Sequence, residues 1–347
     1  HRDLHSFPTR RSSDLDSILL HGVVPSGKRE LFRDMLITTL AEENGQKDFS
    51  ATSAYLIDLD RDGTREFVSG ILAGFQAHPR FSFSYNFRSG VLKITPTTVN
   101  HNFITDTVDL NRDGFPELIT DSYAIDNNEG RIQTLYDDNS AWMMVFDHNL
   151  EFFFPPVQYR GKYVRLALAT TSRYGKDYIF AVYEPRIKGT GFPKLMLFDA
   201  ASRFIRDRIL DDTSCRTSYS LFRSDELSGR IFLLREGGIL EEYDTNLSVV
   251  DRKVIDGVES ASIFQTDIDG DGSRESIFTA SEGAELMITD AGFSNPVRIY
   301  IPAEPFARHF QTIREQGVPG RLYMQSGNQR FIFSYEHNPW FYLKYPV

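Results

Sequence analysis

Cysteine is nearly absent: Cys215 is the single one in 347 residues. No intrachain disulfide can form, so a disulfide-stapled scaffold is excluded, and the lone thiol reads as a small packed hydrophobe rather than a nucleophile. No run of 18 apolar residues occurs, so no segment has the composition of a membrane-spanning helix. Basic side chains are in deficit. The 38 Lys and Arg against 48 Asp and Glu leave a formal charge of −10, which argues against nucleic acid as a partner. Catalytic signatures are missing as well. The histidines stand at 1, 5, 21, 78, 101, 148, 309 and 337 without metalloprotease pairing, and there is no Gly-x-Ser-x-Gly elbow or phosphate-binding loop. Gly189-Thr-Gly191 lacks the third glycine of a dinucleotide fingerprint. A non-enzymatic chain is expected.

What is abundant is acid, and it is concentrated. Three strings repeat one pattern: Asp58-Leu-Asp60-Arg-Asp62-Gly63-Thr64-Arg-Glu66, Asp109-Leu-Asn111-Arg-Asp113-Gly114-Phe115-Pro-Glu117, and Asp267-Ile-Asp269-Gly-Asp271-Gly272-Ser273-Arg-Glu275. Each sets oxygen side chains at positions 1, 3, 5 and 9 around a glycine at position 6, and position 7 (Thr64, Phe115 or Ser273) offers a backbone carbonyl. Carboxylates about 4 Å apart repel by roughly 4 kcal/mol per pair at an effective dielectric near 20, so such a loop needs a counter-ion. A calcium ion, which takes six to eight oxygens in flexible geometry, suits it better than magnesium, which keeps its waters. Up to three Ca²⁺ sites are expected. An EF-hand would need a bidentate Glu at position 12 and flanking helices, but that position holds Ser69, Thr120 or Phe278. The flanks are short apolar runs such as Tyr55-Leu56-Ile57 and Leu118-Ile119, which read as strands.

Spacing supplies the architecture. Asp58 and Asp109 are 51 residues apart, and Asp109 and Asp267 are 158, close to three such intervals. Ligand-free copies fill the gap at Arg173-Tyr-Gly175 and Ser228-Gly229, and a sixth stands at Pro319-Gly320. A second marker, a strand closing on an acid and a turn, recurs at Asp147, Asp199, Asp244, Asp290 and Glu336 with intervals of 52, 45, 46 and 46. Two markers in phase at this period predict an all-β chain, a β-propeller of about six to seven four-stranded blades, incomplete at its N-terminal end. The run Phe152-Phe-Phe154-Pro-Pro156 reads as core and strand filler rather than a stacking platform for a glycan or peptide.

The acidic loops resemble the FG-GAP and VCBS repeat family, whose blades carry an Asp-x-Asp/Asn-x-Asp-Gly-x-x-Asp/Glu calcium loop, as in integrin α-chain propellers and many bacterial secreted proteins. The resemblance covers about residues 51 to 345, with ligands in three blades and only the fold carried over in the rest. Position 9 is Glu here, where Asp is common in the family. The resemblance implies calcium-stabilised blades and an unidentified extracellular ligand, glycan or protein as partner. Calcium modules of this kind bind at roughly 10⁻⁴ to 10⁻³ M, which points to a periplasmic, extracellular or cell-surface location.

The ends carry their own expectations. Residues 5–15 read as a translated sequencing adapter, so residues 1–15 are taken as a non-native tail. Residues 16–50 are either a partial blade or a short helical lead-in over Arg29 to Glu43, and the propeller is assigned to residues 51–347. The closing run Trp340-Phe341-Tyr342-Leu-Lys344-Tyr345 either finishes the last blade or resembles the junction ahead of the first membrane helix in bacterial sensor kinases with propeller-type extracytoplasmic domains. A membrane next to the C-terminus, not spanned by this chain, follows from the second reading. Sensing within a membrane-attached bacterial protein is the leading function. Alternatives are a secreted adhesion or carbohydrate-binding module, or a polysaccharide lyase or hydrolase.

Overall fold

The computed structural model describes residues 17–26, 29–39, 49–51, 55–73, 80–96, 101–128, 130, 133–187, 191–210, 219–223, 229–258, 263–266, 274–279, 285–290, 292–294, 296–300, 308–313, 321–326, 329–334 and 341–345. Every element among them is a strand. The first two, β1 (Ser17–Ser26) and β2 (Arg29–Thr39), pair antiparallel as a two-stranded sheet. The helical alternative for Arg29 onwards is therefore corrected: the run Met35-Leu-Ile37-Thr-Thr39 ends in β-branched residues, which a paired strand accommodates better than a helix.

Antiparallel sheets follow, their strands paired mostly in chain order. In the first, β3 (Phe49–Ala51) and β4 (Tyr55–Ile57) both pair with β5 (Glu66–Ala73), which is followed by β6 (Phe81–Tyr85) and β7 (Leu92–Ile94). Next, β8 (His101–Val108) pairs with β9 (Glu117–Tyr123), β10 (Ser140–Met143) pairs with β12 (Val157–Arg160) as a sheet of two, and β11 (Val145–Phe146) pairs with β9, whose far end also pairs Arg165 and Leu166 of the strand that follows. Then come β13 (Val164–Arg173) to β14 (Lys176–Pro185), β15 (Lys194–Asp199) and β16 (Phe204–Ile209). The fourth is β17 (Tyr219–Arg223), β18 (Arg230–Arg235), β19 (Ile239–Asp244) and β20 (Val249–Val254). The fifth is β21 (Ile263–Thr266), β22 (Glu275–Thr279), β23 (Glu285–Thr289) and β24 (Val297–Tyr300), and the last is β25 (Arg308–Ile313), β26 (Arg321–Ser326), β27 (Gln329–Ser334) and β28 (Phe341–Tyr345). Four-stranded meanders repeated in this way are propeller blades. Phe341 to Tyr345 thus forms the fourth strand of the last blade.

The chain divides into two compact units, residues 1–166 and 167–347. Within each, middle strands are buried on both faces and outer strands are not. β6 is buried at all five positions, whereas β20 is exposed at all six. The sequence has that gradient written in it: Leu-Met-Leu-Phe on β15, Asp-Arg-Lys on β20. In the first unit one core holds Leu59, Val68, Leu118, Met144, Phe146 and Leu150. In the second unit Phe180, Val182, Leu195, Leu233, Tyr243 and Leu247 share another. Phe152 packs against Phe146 and Tyr136 at 5.2 and 5.1 Å between ring centroids, and Phe154 is buried, so the aromatic run is core filler.

Both sequence markers fall on strand links at fixed blade positions. The glycines lie between first and second strands, and Gly63, Gly114, Gly175 and Gly229 adopt φ of 83°, 93°, 73° and 77°. At Gly63 and Gly114 an added Cβ would meet open space, so the left-handed backbone rather than crowding demands glycine. The acids lie between third and fourth strands, where Asp147, Asp199 and Asp244 each accept from the N–H groups two and four residues on through Oδ1. Gly272, Gly320 and Glu336 are outside the described residues, as are Cys215, Trp340 and residues 1–16.

A buried ion pair fastens the long link between β9 and β10. Arg80 Nη1 stands 3.2 Å from Asp138 Oδ2, with both side chains at most 1% exposed. Burial pulls the guanidinium down to about 10, while Asp138 accepts further bonds from the N–H groups of Asn127 and Asn128.

Candidate metal centre

The first acidic loop connects β4 to β5 and the second connects β8 to β9, so each ties the first two strands of a blade, as the strand-like flanks predict. Their internal bonding is the same position by position. The position 9 carboxylate reaches back to the N–H of position 2: Glu66 Oε2 accepts from Leu59 at 2.8 Å, and Glu117 Oε2 from Leu110 at 2.6 Å. The position 1 carboxylate accepts from the position 6 glycine: Asp58 Oδ2 from Gly63 at 3.1 Å, Asp109 Oδ2 from Gly114 at 3.0 Å. The position 5 Oδ1 caps the position 7 N–H, Asp62 to Thr64 at 2.6 Å and Asp113 to Phe115 at 2.8 Å. Position 3 does the same for position 5, through Asp60 at 3.2 Å and Asn111 at 2.9 Å. Position 4 is left-handed in both, Arg61 at φ 58° and Arg112 at φ 63°. The result is a curled backbone pinned by its own side-chain oxygens, with positions 3 and 5 exposed.

That bonding leaves one atom over in each loop. Asp58 Oδ1 and Asp109 Oδ1 are buried and accept no hydrogen bond. A buried carboxylate oxygen without a donor costs about 1–3 kcal/mol or more, and it recurs in both loops at position 1, one of the positions where the pattern places a ligand. In the first loop, Asp58, Asp60 and Glu66 each bring an oxygen to within 4.8 Å of the others, and all of these atoms are hard donors. The residues fit a calcium ion. In the second loop Asn111 replaces an acid, and its Nδ2 donates to Asp113 Oδ2 at 2.8 Å, so this loop carries one negative charge fewer.

Negative charge accumulates at position 9 of both loops. Burial, together with the charges of Asp113, Asp109 and Asp147, pushes the Glu117 carboxyl up to about 7 despite the Leu110 N–H. Burial likewise raises Glu66, helped by Asp60 and Asp62 and opposed by the Leu59 N–H and Asn86. Asp113 is lowered by the Phe115 N–H and the Asn111 amide.

Of the expected ligands, the structure gathers the oxygens of Asp58, Asp60 and Glu66, with Asp62 and Thr64 in the same loop but Asp62 outside that cluster; Asp109, Asn111, Asp113, Phe115 and Glu117 share the second loop, where the acids do not cluster as closely. Asp267, Asp269, Asp271 and Ser273 lie outside the described residues, between β21 and β22, and Glu275 begins β22. Two supporting residues escaped the sequence reading. Asn86 donates from Nδ2 to Glu66 Oε1 at 2.6 Å, and Arg61 donates from Nε to the Gly114 carbonyl at 2.7 Å. Asn86 was findable: Phe-Ser-Tyr-Asn86 closes the third strand of its blade as Met-Val-Phe-Asp147 closes that of the next.

No protein-family model matches the chain, and no curated protein matches it in sequence. Among solved structures it is similar to a putative 6-phosphogluconolactonase from Bacteroides fragilis NCTC 9343, at 13% identity and TM-score 0.51, over 98% of this chain and 92% of that one. It is also similar to BBS1N in complex with ARL6DN, at 10% identity and TM-score 0.48 over 82% and 79%. A third is the Dos1 propeller, at 12% identity and TM-score 0.43 over 84% and 72%. At such identities likeness speaks of fold alone. Repeated four-stranded blades define the class: the chain is an all-β propeller.

Proposed function

We propose that this chain is a non-catalytic, calcium-stabilised propeller of the FG-GAP/VCBS type, acting outside the cytoplasm as the ligand-sensing or interaction part of a membrane-attached bacterial protein such as a sensor kinase. The carrying observation is the unpartnered buried Oδ1 at position 1 of two loops with the same bonding, at Asp58 and Asp109. Calcium supplies charge neutralisation and ligation for oxygens that the chain itself leaves without donors. The chain's own part is to hold them: the glycine turn curls the loop, position 9 anchors it to position 2, and the blade core fixes both ends. A protein or glycan ligand is the expected partner.

The test is thermal unfolding with added Ca²⁺ and with chelator. The expected result is a melting temperature that rises with calcium and falls with chelator, with the response diminished in Asp60→Ala, Asp113→Ala and Asp271→Ala. At 100 times its dissociation constant one ion contributes about 2.7 kcal/mol. An equal melt with and without chelator in the unmutated protein would overturn the metal assignment.

A further inference from the structure

Between the two described loops runs one side chain that belongs to neither ligand set. Arg61, fourth in the first loop, donates from Nε to the backbone carbonyl of Gly114, sixth in the second, at 2.7 Å and 53 residues away in sequence. A charged donor makes a stronger bond to a carbonyl than a neutral one does. Both ends of this bond are set by ligands. Arg61 is held in its left-handed conformation between Asp60 and Asp62, and the Asp62 N–H is capped by Asp60 Oδ1. The Gly114 carbonyl shares a planar peptide with the Phe115 N–H, and that N–H donates to Asp113 Oδ1 at 2.8 Å. Turning the carbonyl turns the donor that aims the Asp113 carboxylate. It also moves Phe115, whose own carbonyl is the backbone ligand of the second loop.

We propose that Arg61 is a positioning residue that couples the two cation loops, so that an ion in the first raises the affinity of the second. This rests on the calcium reading above. A cation that orders Asp60 and Asp62 fixes the backbone from which Arg61 projects, and Arg61 then presents the second loop's peptide already turned. By linkage the effect is reciprocal. The sign is diagnostic, because two divalent ions in neighbouring loops repel and direct electrostatics alone would make the second ion bind more weakly. A second connection exists, since Leu59 of the first loop and Leu118 beyond the second share a core, and the test separates it from Arg61.

The experiment is Ca²⁺ titration by calorimetry on the full chain with the third loop silenced by Asp271→Ala. Two ions are expected with a Hill coefficient above 1, and Asp60→Asn is expected to weaken the remaining second-loop site by about 5-fold or more, within the usual range of couplings. Arg61→Asn removes the guanidinium but keeps a residue that tolerates left-handed backbone. In that background two ions still bind, the Hill coefficient falls to about 1, and Asp60→Asn changes the second site by less than about 2-fold. A purely structural role for Arg61 would lower both affinities and leave the coupling in place. The proposal is overturned by a Hill coefficient at or below 1 with Arg61 present, a measurement that leaves both coupled loops unaltered, or by coupling that survives Arg61→Asn. Absence of any calcium binding ends both this proposal and the metal assignment beneath it, whereas two independent sites end this one alone.

Discussion

Glu66 and Glu117 hold the same loop position and make the same bond to position 2, yet they face different neighbours. Glu66 receives a hydrogen bond from the Asn86 amide, while Glu117 meets the negative charge of Asp147. Asn86 and Asp147 close the third strands of successive blades, so the neighbour that each position 9 carboxylate meets there differs by one oxygen or nitrogen atom. In calcium-free protein the sign of the consequence is set. The Glu117 value of about 7 lies above its ordinary 4.5, so the folded chain binds more protons than the unfolded one between those values, and stability falls as pH rises through that window. Asp147→Asn keeps the Oδ1 that caps the turn and removes the repulsion. Chelated Asp147→Asn protein is expected to lose less stability between pH 5 and 7.5 than the parent, as read by urea unfolding at the two pH values. Burial is the main cause of the raised Glu117 value and Asp147 the smallest contributor, so the expected difference is small; an equal loss would mean that Asp147 adds nothing to it.

At the scale of the element, the turns between third and fourth strands repeat a compact solution. Four of them put a non-glycine residue three places after the acid into the left-handed region, Leu150 at φ 64°, Ser202 at 63°, Leu247 at 59° and Phe293 at 58°, whereas the first blade's turn uses Gly90 at 77°. For a residue with a Cβ that conformation costs about 1–2 kcal/mol. Leu150 and Leu247 are buried, and burying a leucine contributes about 1.5–3 kcal/mol, so the strain is offset by packing. Ser202 has no such compensation. Leu247→Gly is therefore expected to destabilise by about 1–3 kcal/mol, whereas Ser202→Gly is expected to be neutral or stabilising by up to about 0.5 kcal/mol, once the extra freedom of the unfolded glycine is counted. Chemical denaturation of the two variants checks the contrast. The Arg80–Asp138 pair behaves differently again: Arg80→Ala strands a buried carboxylate and is expected to cost about 3–5 kcal/mol by the same measurement. These elements also show what the sequence could tell. The Asp turns and the glycine links were legible because their chemistry is local, carried by one side chain capping its own backbone or one glycine at positive φ. Arg80 with Asp138 and Arg61 with Gly114 were not, since each joins residues about 50 apart that only blade stacking brings together. The hairpin β1–β2 was half legible, because eleven residues of mixed apolar and charged character fit a strand or a short helix about equally well until pairing decides.

Across the whole molecule the ligands are unevenly placed. Two described loops with the full pattern serve the first two blades, while the links after β13 and β17 keep the glycine without the acidic triplet. Blades that lack ligands must be ordered by packing alone, and their middle strands show it: Ile179 to Val182 and Ile231 to Leu234 are buried runs of apolar residues. In the first unit the loops instead confine charge at the ends of β5 and β9, beside a core that begins at Val68 and Leu118. Removing calcium should therefore loosen the molecule locally before it unfolds globally, because local opening follows the elements whose stabilisation has been withdrawn. Hydrogen exchange with chelator is expected to speed up by about 10-fold or more over β5 and β9, the change that 1.4 kcal/mol of lost protection produces, and to remain unchanged over β14 and β18. Asp60→Ala should confine the chelator-insensitive gain to β5 if the loops act alone, and extend it to β9 if Arg61 carries the first loop's order into the second. Uniform acceleration across β14 and β18 would contradict a division of labour between ion-ordered and packing-ordered blades.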